Sequence, residues 1–269
     1  MARSQDQIPA GNHRFRPRLK AVLFLCLSGA IACGVAPLAS GQTAADGIPR
    51  TPDGKPNLAG FWQTLNTAAW NLEDHSALKG VPAGQSVVEG GAIPYQPWAA
   101  AKRKENFENR ATADPDNQCY LPGVPRITYE GFPFQIVQTP KQMMFLYEYV
   151  HAVRSVYTNG TKHPDGHIDW WLGDSRGHWE GDTFVADVVD FDERTWLDRA
   201  GNFHSDEMHA VERYTLTDPD HIDYEVTIED PKVFTRPWKI SMPLYRRKEK
   251  NFQLLEYECH AFDLEKYYP

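Results

Sequence analysis

From Arg126 onward, short runs rich in Val, Ile, Phe, Tyr and Thr alternate with turn residues, and this alternation constrains the fold more than any other feature. Such runs, bounded by Gly, Pro, Asn and Asp, are typical of β-strands, and Asn159-Gly160 is the strongest of the turn signals. Consecutive short strands joined by tight turns predict an all-β, mainly antiparallel fold, either a barrel or a curved sandwich. The predicted strands cover residues 134–139, 142–149, 152–158, 168–172, 183–191, 208–217, 221–229, 237–247 and 252–260.

Residues 1–41 have the pattern of a signal peptide. Four basic residues between Arg14 and Lys20 precede an uncharged stretch over 21–38, and Ala39-Ser40-Gly41 offers the small residues that a signal peptidase requires. We therefore predict cleavage after Gly41 and a periplasmic or secreted mature protein. Two alternatives stay open: the stretch approaches the length of a membrane anchor, and Cys33 is a candidate for lipid attachment.

We predict that residues 42–125 form an extended N-terminal arm that contains a first strand and one helix. Pro and Gly are frequent in the opening segment, and a strand-like run begins at Gly60. Residues 98–110 hold good helix formers without a breaker and are charged nearly all round, which predicts a surface helix. We expect residues 126–269 to form the barrel-like core, as one domain together with 59–125.

The mature chain is strongly acidic. The full sequence carries 28 Lys+Arg and 36 Asp+Glu, and removal of residues 1–41 leaves 23 and 35, a formal charge of −12. No basic patch offsets this charge, so nucleic acid and anionic lipid are excluded as partners. We expect no stable membrane insertion after signal cleavage, and the oligomeric state is not indicated.

Cys119 and Cys259 are the only cysteines of the predicted mature chain. Two solitary cysteines in an oxidising compartment form a disulfide more often than a reactive pair. The bond would close a loop of about 140 residues and stabilise the fold by a few kcal/mol. The alternative is a catalytic cysteine, which would require a histidine held against the thiol to form a thiolate pair.

Carboxylates, histidines and tryptophans are concentrated between Gly173 and Arg213. Because burial of an unpaired charge is costly, these groups form either a solvated rim or the lining of a polar site. Asp187 alternates with apolar residues, so its pKa should rise if that row faces the interior. It is then a candidate general acid or base, and the alternative is a structural ion pair with a residue such as Arg213.

Two histidines and two carboxylates follow in the pattern H-x-D-x-x-H-x-x-E, which begins at His204. In a strand, His209 and Glu212 point to opposite faces, so we predict no metal site. A histidine–carboxylate pair suits proton transfer near neutral pH. The predicted catalytic residues are His204 and His209 for proton transfer, Asp187 or Glu212 as the orienting or basic carboxylate, and Arg176 as an anion donor.

The segment Gly173–Gly177 matches Gly-x-Ser-x-Gly, but a nucleophile elbow requires a strand that runs into a helix, and the residues that follow predict a hairpin. We therefore predict no serine nucleophile here. Arg176 in this segment is a candidate for binding a carboxylate, either of a ligand or of a buried Asp. Tryptophans beside polar groups are typical of small-molecule sites, although most tryptophans are core residues. The predicted substrate-binding residues are Trp171, Trp179, Trp196 and Asp174.

Three segments, TPDGKPNLAGFW, GDSRGHWEGDT and TIEDPKVFTRPW, resemble those of a large group of exported proteins from soil and environmental bacteria. The resemblance covers residues 49–240 and implies export and a β-rich fold rather than a particular reaction. Gly60-Phe61-Trp62 also resembles the Gly-x-Trp of the first lipocalin strand, which implies a lipocalin-like barrel.

These observations favour an exported β-barrel enzyme that acts on a small apolar or aromatic molecule by acid–base chemistry, as a lyase, isomerase or hydrolase. No cofactor is predicted. The alternative is a non-catalytic, lipocalin-like carrier of a small molecule, and a third interpretation is a structural envelope protein without a ligand.

Overall fold

The computed structural model describes residues 47–166 and 168–259; the predicted signal peptide and the first residues of the predicted arm lie outside them. One α-helix, α1 (Pro97–Ala113), and nine strands are present in this part of the chain. The strands are β1 (Gly60–Gln63), β2 (Phe134–Thr139), β3 (Gln142–Tyr147), β4 (Val153–Tyr157), β5 (Asp174–Glu180), β6 (Thr183–Val189), β7 (His209–Asp218), β8 (His221–Glu229) and β9 (Trp238–Arg246).

The strands pair in chain order and close into one barrel through β9 and β1. Every neighbouring pair is antiparallel except β4 and β5, which meet in parallel where Tyr157 faces Arg176. The all-β barrel is therefore confirmed. Since parallel neighbours require a crossover connection, the chain takes a long path over 158–173, and this path carries His163 to the outer face of the barrel.

Side chains alternate between the interior and the outer face along each strand. On β7, Ala210, Glu212 and Tyr214 are fully buried, whereas the alternate residues His209 and Arg213 are only partly buried. The interior is filled by large side chains, as in other small barrels whose lumen is a packed core. Among its largest fully buried members are Trp62, Phe134, Phe145, Phe184, Tyr214 and Tyr224.

An ion pair lies among these aromatic residues. Glu212 is bound by Arg154 Nη2 and accepts hydrogen bonds from the hydroxyls of Tyr214 (2.9 Å) and Tyr224 (2.7 Å). Arg154 Nε donates to Ser175 Oγ at 3.0 Å. Burial opposes the charge of Arg154, but Glu212 raises the pKa of the guanidinium above its ordinary value. Glu212 is thus a structural partner inside the barrel.

A second buried ion network lies after α1. Arg126 forks onto Asp114 at 2.9 and 3.0 Å and also donates to Asp116 (3.1 Å) and Glu130 (2.6 Å). Arg199 binds two of these three carboxylates, Asp116 at 3.0 Å and Glu130 at 2.6 Å. Burial raises the pKa of Glu130, against the lowering effect of the two arginines. These contacts join the residues after α1 to the loop that carries Arg199.

Cys119 and Cys259 form a disulfide with a Cα–Cα separation of 5.6 Å, so the predicted bond is confirmed. It joins residues 140 positions apart in the chain. None of the helices in the described part of the chain combines the length and apolarity needed to span a membrane.

The secondary structure differs from the prediction in three places. Residues 168–172 form no strand, apart from an isolated bridge between Trp170 and Phe191, and β5 was missed because the sequence around Gly177 resembles a turn. Residues 252–258 also form no strand, because β9 already pairs with β8 and β1 and the closed barrel leaves it no free edge. The helix was predicted at nearly its observed position, and only Ala99 and Asn106 of it are buried.

Candidate functional site

Five polar side chains meet on the outer face of the barrel where β5, β6 and β7 lie side by side. Arg176 on β5 faces Asp187 on β6, and their neighbours on these strands alternate into the core. We call this group the His–Asp cluster; its members are His163, Asp174, Arg176, Asp187 and His209. Four of them were predicted site residues, and the structure brings those four together.

The centre of the cluster is Asp187. Its Oδ1 lies 3.0 Å from Nε2 of His209 and 3.3 Å from Nε2 of His163. The hydrogen bond from His209 lowers the pKa of Asp187, and the same bond raises the pKa of His209. Asp187 therefore faces outward on its strand. Its pKa is lowered, which is opposite to the rise expected for a carboxylate in the interior. Its partners are the two imidazoles, whereas Arg213 pairs with Glu180.

His163 links Asp187 to the second carboxylate of the cluster. Its Nδ1 lies 2.6 Å from Asp174 Oδ2, so both of its ring nitrogens contact carboxylates. Arg176 forks onto Asp174 with two bonds of 2.8 Å and donates Nη1 to Thr161 at 2.7 Å. The Arg176 fork therefore binds a largely buried Asp, which is one of the two carboxylate partners that the sequence left open, and Arg176 also lines the pocket beside Asp187.

His209 is the member of the cluster that is best placed to move a proton. Its Nε2 is held by Asp187, while Nδ1 has no hydrogen-bond partner among the described residues. The side chain is 38% exposed, so a small molecule can reach the ring. A carboxylate that binds one imidazole nitrogen fixes the tautomer and stabilises the protonated form, which leaves the other nitrogen to exchange a proton.

A pocket of about 540 Å³ lies beside Asp187. The crossover segment, β5 and Asp187 of β6 form its walls. Most of the lining residues carry polar or charged groups, although apolar atoms provide more of the lining surface than polar atoms do. Its lining residues are Gly160, Thr161, Lys162, His163, Arg176, Gly177, His178 and Asp187. Asp187 lines this pocket, and His209 Nε2 lies 3.0 Å from that carboxylate, although His209 itself is not among the lining residues.

Two predicted catalytic residues lie elsewhere. His204 is buried, with Nε2 2.6 Å from Thr195 Oγ1 and Nδ1 2.8 Å from the carbonyl of Ser205, and burial lowers its pKa. It precedes β7 in a packed loop, so its closeness to His209 in sequence does not bring it to the cluster. Glu212 faces the barrel interior because it lies three residues from His209 on one strand. Neither residue contributes to an exposed site.

The predicted tryptophans do not line the pocket beside Asp187. Trp179 packs against Phe184 in the barrel, with ring centroids 5.3 Å apart. Trp171 and Trp196 line a separate pocket of about 460 Å³. Trp171 stacks on Tyr120 there at 4.9 Å. Strand alternation explains the first difference, because the side chain of Trp179 points opposite to that of Arg176.

His163 was missed by the sequence analysis. It lies in the crossover segment, outside any strand, and only the parallel arrangement of β4 and β5 brings it over Asp187. No local pattern marks this contact. Within residues 47–166 and 168–259, no three His, Cys, Asp or Glu side chains are arranged to hold a metal ion.

Comparisons of the chain with protein-family models, with curated proteins and with solved structures find no match.

Proposed function

We propose that this protein is an exported enzyme that uses His209 as an acid–base residue at the outer face of the barrel. The observation that carries the proposal is the 3.0 Å contact between His209 Nε2 and Asp187, with the other ring nitrogen left for a substrate. Asp187 orients the ring and stabilises its protonated form. His163, Asp174 and Arg176 hold Asp187 in position. The disulfide is compatible with export to the periplasm or the exterior.

The charged and polar groups in the pocket beside Asp187 suit a small substrate that carries polar groups, and the tryptophans that suggested an apolar or aromatic substrate lie outside this pocket. Proton abstraction next to a carbonyl, elimination of water and attack of water on an ester all require a base of this kind. The reaction class is accordingly an isomerase, lyase or hydrolase. A carrier of the lipocalin kind holds its ligand within the barrel. Large side chains fill the interior of this barrel, and this favours the enzyme hypothesis over the carrier hypothesis.

Turnover by wild-type protein and by His209→Gln tests this proposal. The panel combines three assays: hydrolysis of aryl esters, dehydration of 3-hydroxy acids, and uptake of solvent deuterium beside a carbonyl. We expect the wild-type protein to turn over members of at least one class, and His209→Gln to lose about 10²- to 10⁴-fold in rate on them, as is typical for a lost general base.

The matched control is His221→Gln. His221 also contacts a carboxylate, Asp218 at 2.7 Å, but it is the first residue of β8 and lines none of the pockets described above. Its replacement should leave turnover unchanged. Equal turnover by wild type and His209→Gln, or no turnover of any panel member, would contradict the proposal.

A further inference from the structure

A further pocket shares no lining residue with the His–Asp cluster. It has a volume of about 720 Å³ and lies between α1, residues 70–81 and the loop that carries Arg199. A volume of this size is typical of sites for small organic ligands. An inference about this pocket is therefore independent of the proposed enzymatic function.

The wall formed by α1 carries two arginines, Arg103 and Arg110. Arg110 Nη1 donates to the carbonyl of Phe107, and its guanidinium lies 4.1 Å from the centre of the Phe107 ring. No carboxylate among the described residues lies within ion-pair distance of Arg110. Arg103 lies on the same ring at 5.7 Å and is only loosely paired, with Glu73 at 3.8 Å.

Most other charged groups of the pocket are paired, and Lys79 on the opposite loop is a further cation with no ion pair among the described residues. Arg199 binds the buried carboxylates Asp116 and Glu130, and Asp114 is bound by Arg126. Glu108 pairs with a lysine on the same helix at 4.0 Å. The charge left to interact with a ligand is therefore positive, in a chain whose overall formal charge is −8.

Apolar surface completes the pocket. The Trp70 ring lies 5.1 Å from the Arg199 guanidinium, and the Phe107 ring lies near the guanidinium groups of both Arg103 and Arg110. Leu78 and Val81 line the opposite loop. Flat aromatic walls beside a guanidinium provide a large contact area for a ring and a fork for a planar anion.

We propose that this pocket binds a small aromatic carboxylate, with the carboxylate on Arg110 and the ring against Trp70 and Phe107. A carboxylate matches the planar donors of arginine, and a charge-assisted pair in a partly enclosed pocket is stronger than a neutral hydrogen bond. The apolar walls select against anions that lack a hydrophobic body, such as acetate or inorganic phosphate.

Isothermal titration calorimetry with cinnamate tests the proposal, with cinnamamide as the neutral probe of the same shape. Wild-type mature protein should bind cinnamate saturably, and cinnamamide at least about tenfold more weakly, since the charged hydrogen bonds are lost. Arg110→Gln should weaken cinnamate binding to the level of cinnamamide. Arg236→Gln is the control, because that exposed arginine contacts only the carbonyl of Pro237 among the described residues.

A second pair of variants covers the case in which Arg110→Gln disturbs α1. Leu78 is 56% exposed and lines the pocket, so a charge there is tolerated by the fold. Leu78→Asp should weaken cinnamate binding by repulsion, and Leu78→Lys should preserve or strengthen it. Absence of saturable cinnamate binding, equal binding of the acid and the amide, or equal affinities of the two Leu78 variants would overturn the proposal.

Discussion

Replacement of Arg126 with methionine is expected to destabilise the folded protein by about 3–5 kcal/mol, because it removes one member of a buried ion network. Arg126 is fully buried and binds three carboxylates, those of Asp114, Asp116 and Glu130. After the replacement, Arg199 is the one arginine still paired with Asp116 and Glu130, and Asp114 loses both bonds of its fork.

The destabilisation should depend on pH in a defined direction. Buried carboxyls without a cation have folded-state pKa values above their unfolded values of about 4. The folded variant then binds more protons than the unfolded chain, so its free energy of unfolding falls as the pH rises above about 4. The difference in stability between Arg126→Met and wild type should thus be larger at pH 7 than at pH 5.

Urea unfolding at these two pH values measures both effects. Arg213→Met is the control, because Arg213 forms a single ion pair with Glu180 on the outer face, and surface pairs contribute only about 0.2–1 kcal/mol. A loss below about 1 kcal/mol for Arg126→Met, or the same loss at both pH values, would show that the network does not stabilise the fold as described.

The second large effect concerns the ion pair inside the barrel. Glu212→Gln keeps the shape of the side chain but leaves the charge of Arg154 buried among aromatic residues, which should cost about 3–5 kcal/mol. The hydroxyls of Tyr214 and Tyr224, which both bind Glu212 Oε1, exchange a charged acceptor for a neutral amide.

The double variant Glu212→Gln with Arg154→Met measures how far the stability contributions of Glu212 and Arg154 depend on each other. Removal of the second charge should recover much of the stability, because an apolar side chain of similar length replaces an uncompensated ion. A double-mutant cycle in urea gives the coupling between the two positions. Additive effects of the two single variants, or a Glu212→Gln protein as stable as wild type, would contradict a buried, mutually dependent pair.

Much of the barrel was predictable from local patterns. β8 alternates strictly between buried Ile, Tyr and Val and partly exposed polar residues, so its bounds follow from the sequence alone. The same rule separates His209 from Glu212, and the structure confirms that they face opposite sides of β7. β5 was missed because the sequence around Gly177 resembles a turn, and because Ser175 and Gly177 on its inward row are too small to mark an apolar face.

The site depends on information that strand patterns do not contain. Asp187 and His209 meet because of the register between β6 and β7, and His163 joins them through the crossover that follows β4. His204 lies five residues before His209 but in a packed loop, and only the tertiary structure separates the two imidazoles. Residue types therefore identified the polar block, while the pairing within it required the fold.

The pH dependence of kcat/KM in wild type and Asp187→Asn tests the central claim most directly, using the substrate that the turnover panel identifies. Deprotonated His209 is the base, so the wild-type rate should rise with pH through a His209 pKa above the ordinary value of about 6.5, since Asp187 raises it. Asp187→Asn removes that carboxylate and should move the rise to lower pH, whereas His221→Gln should leave it in place. A rise at the same pH in wild type and Asp187→Asn would contradict the assignment of Asp187 and His209 as the acid–base pair.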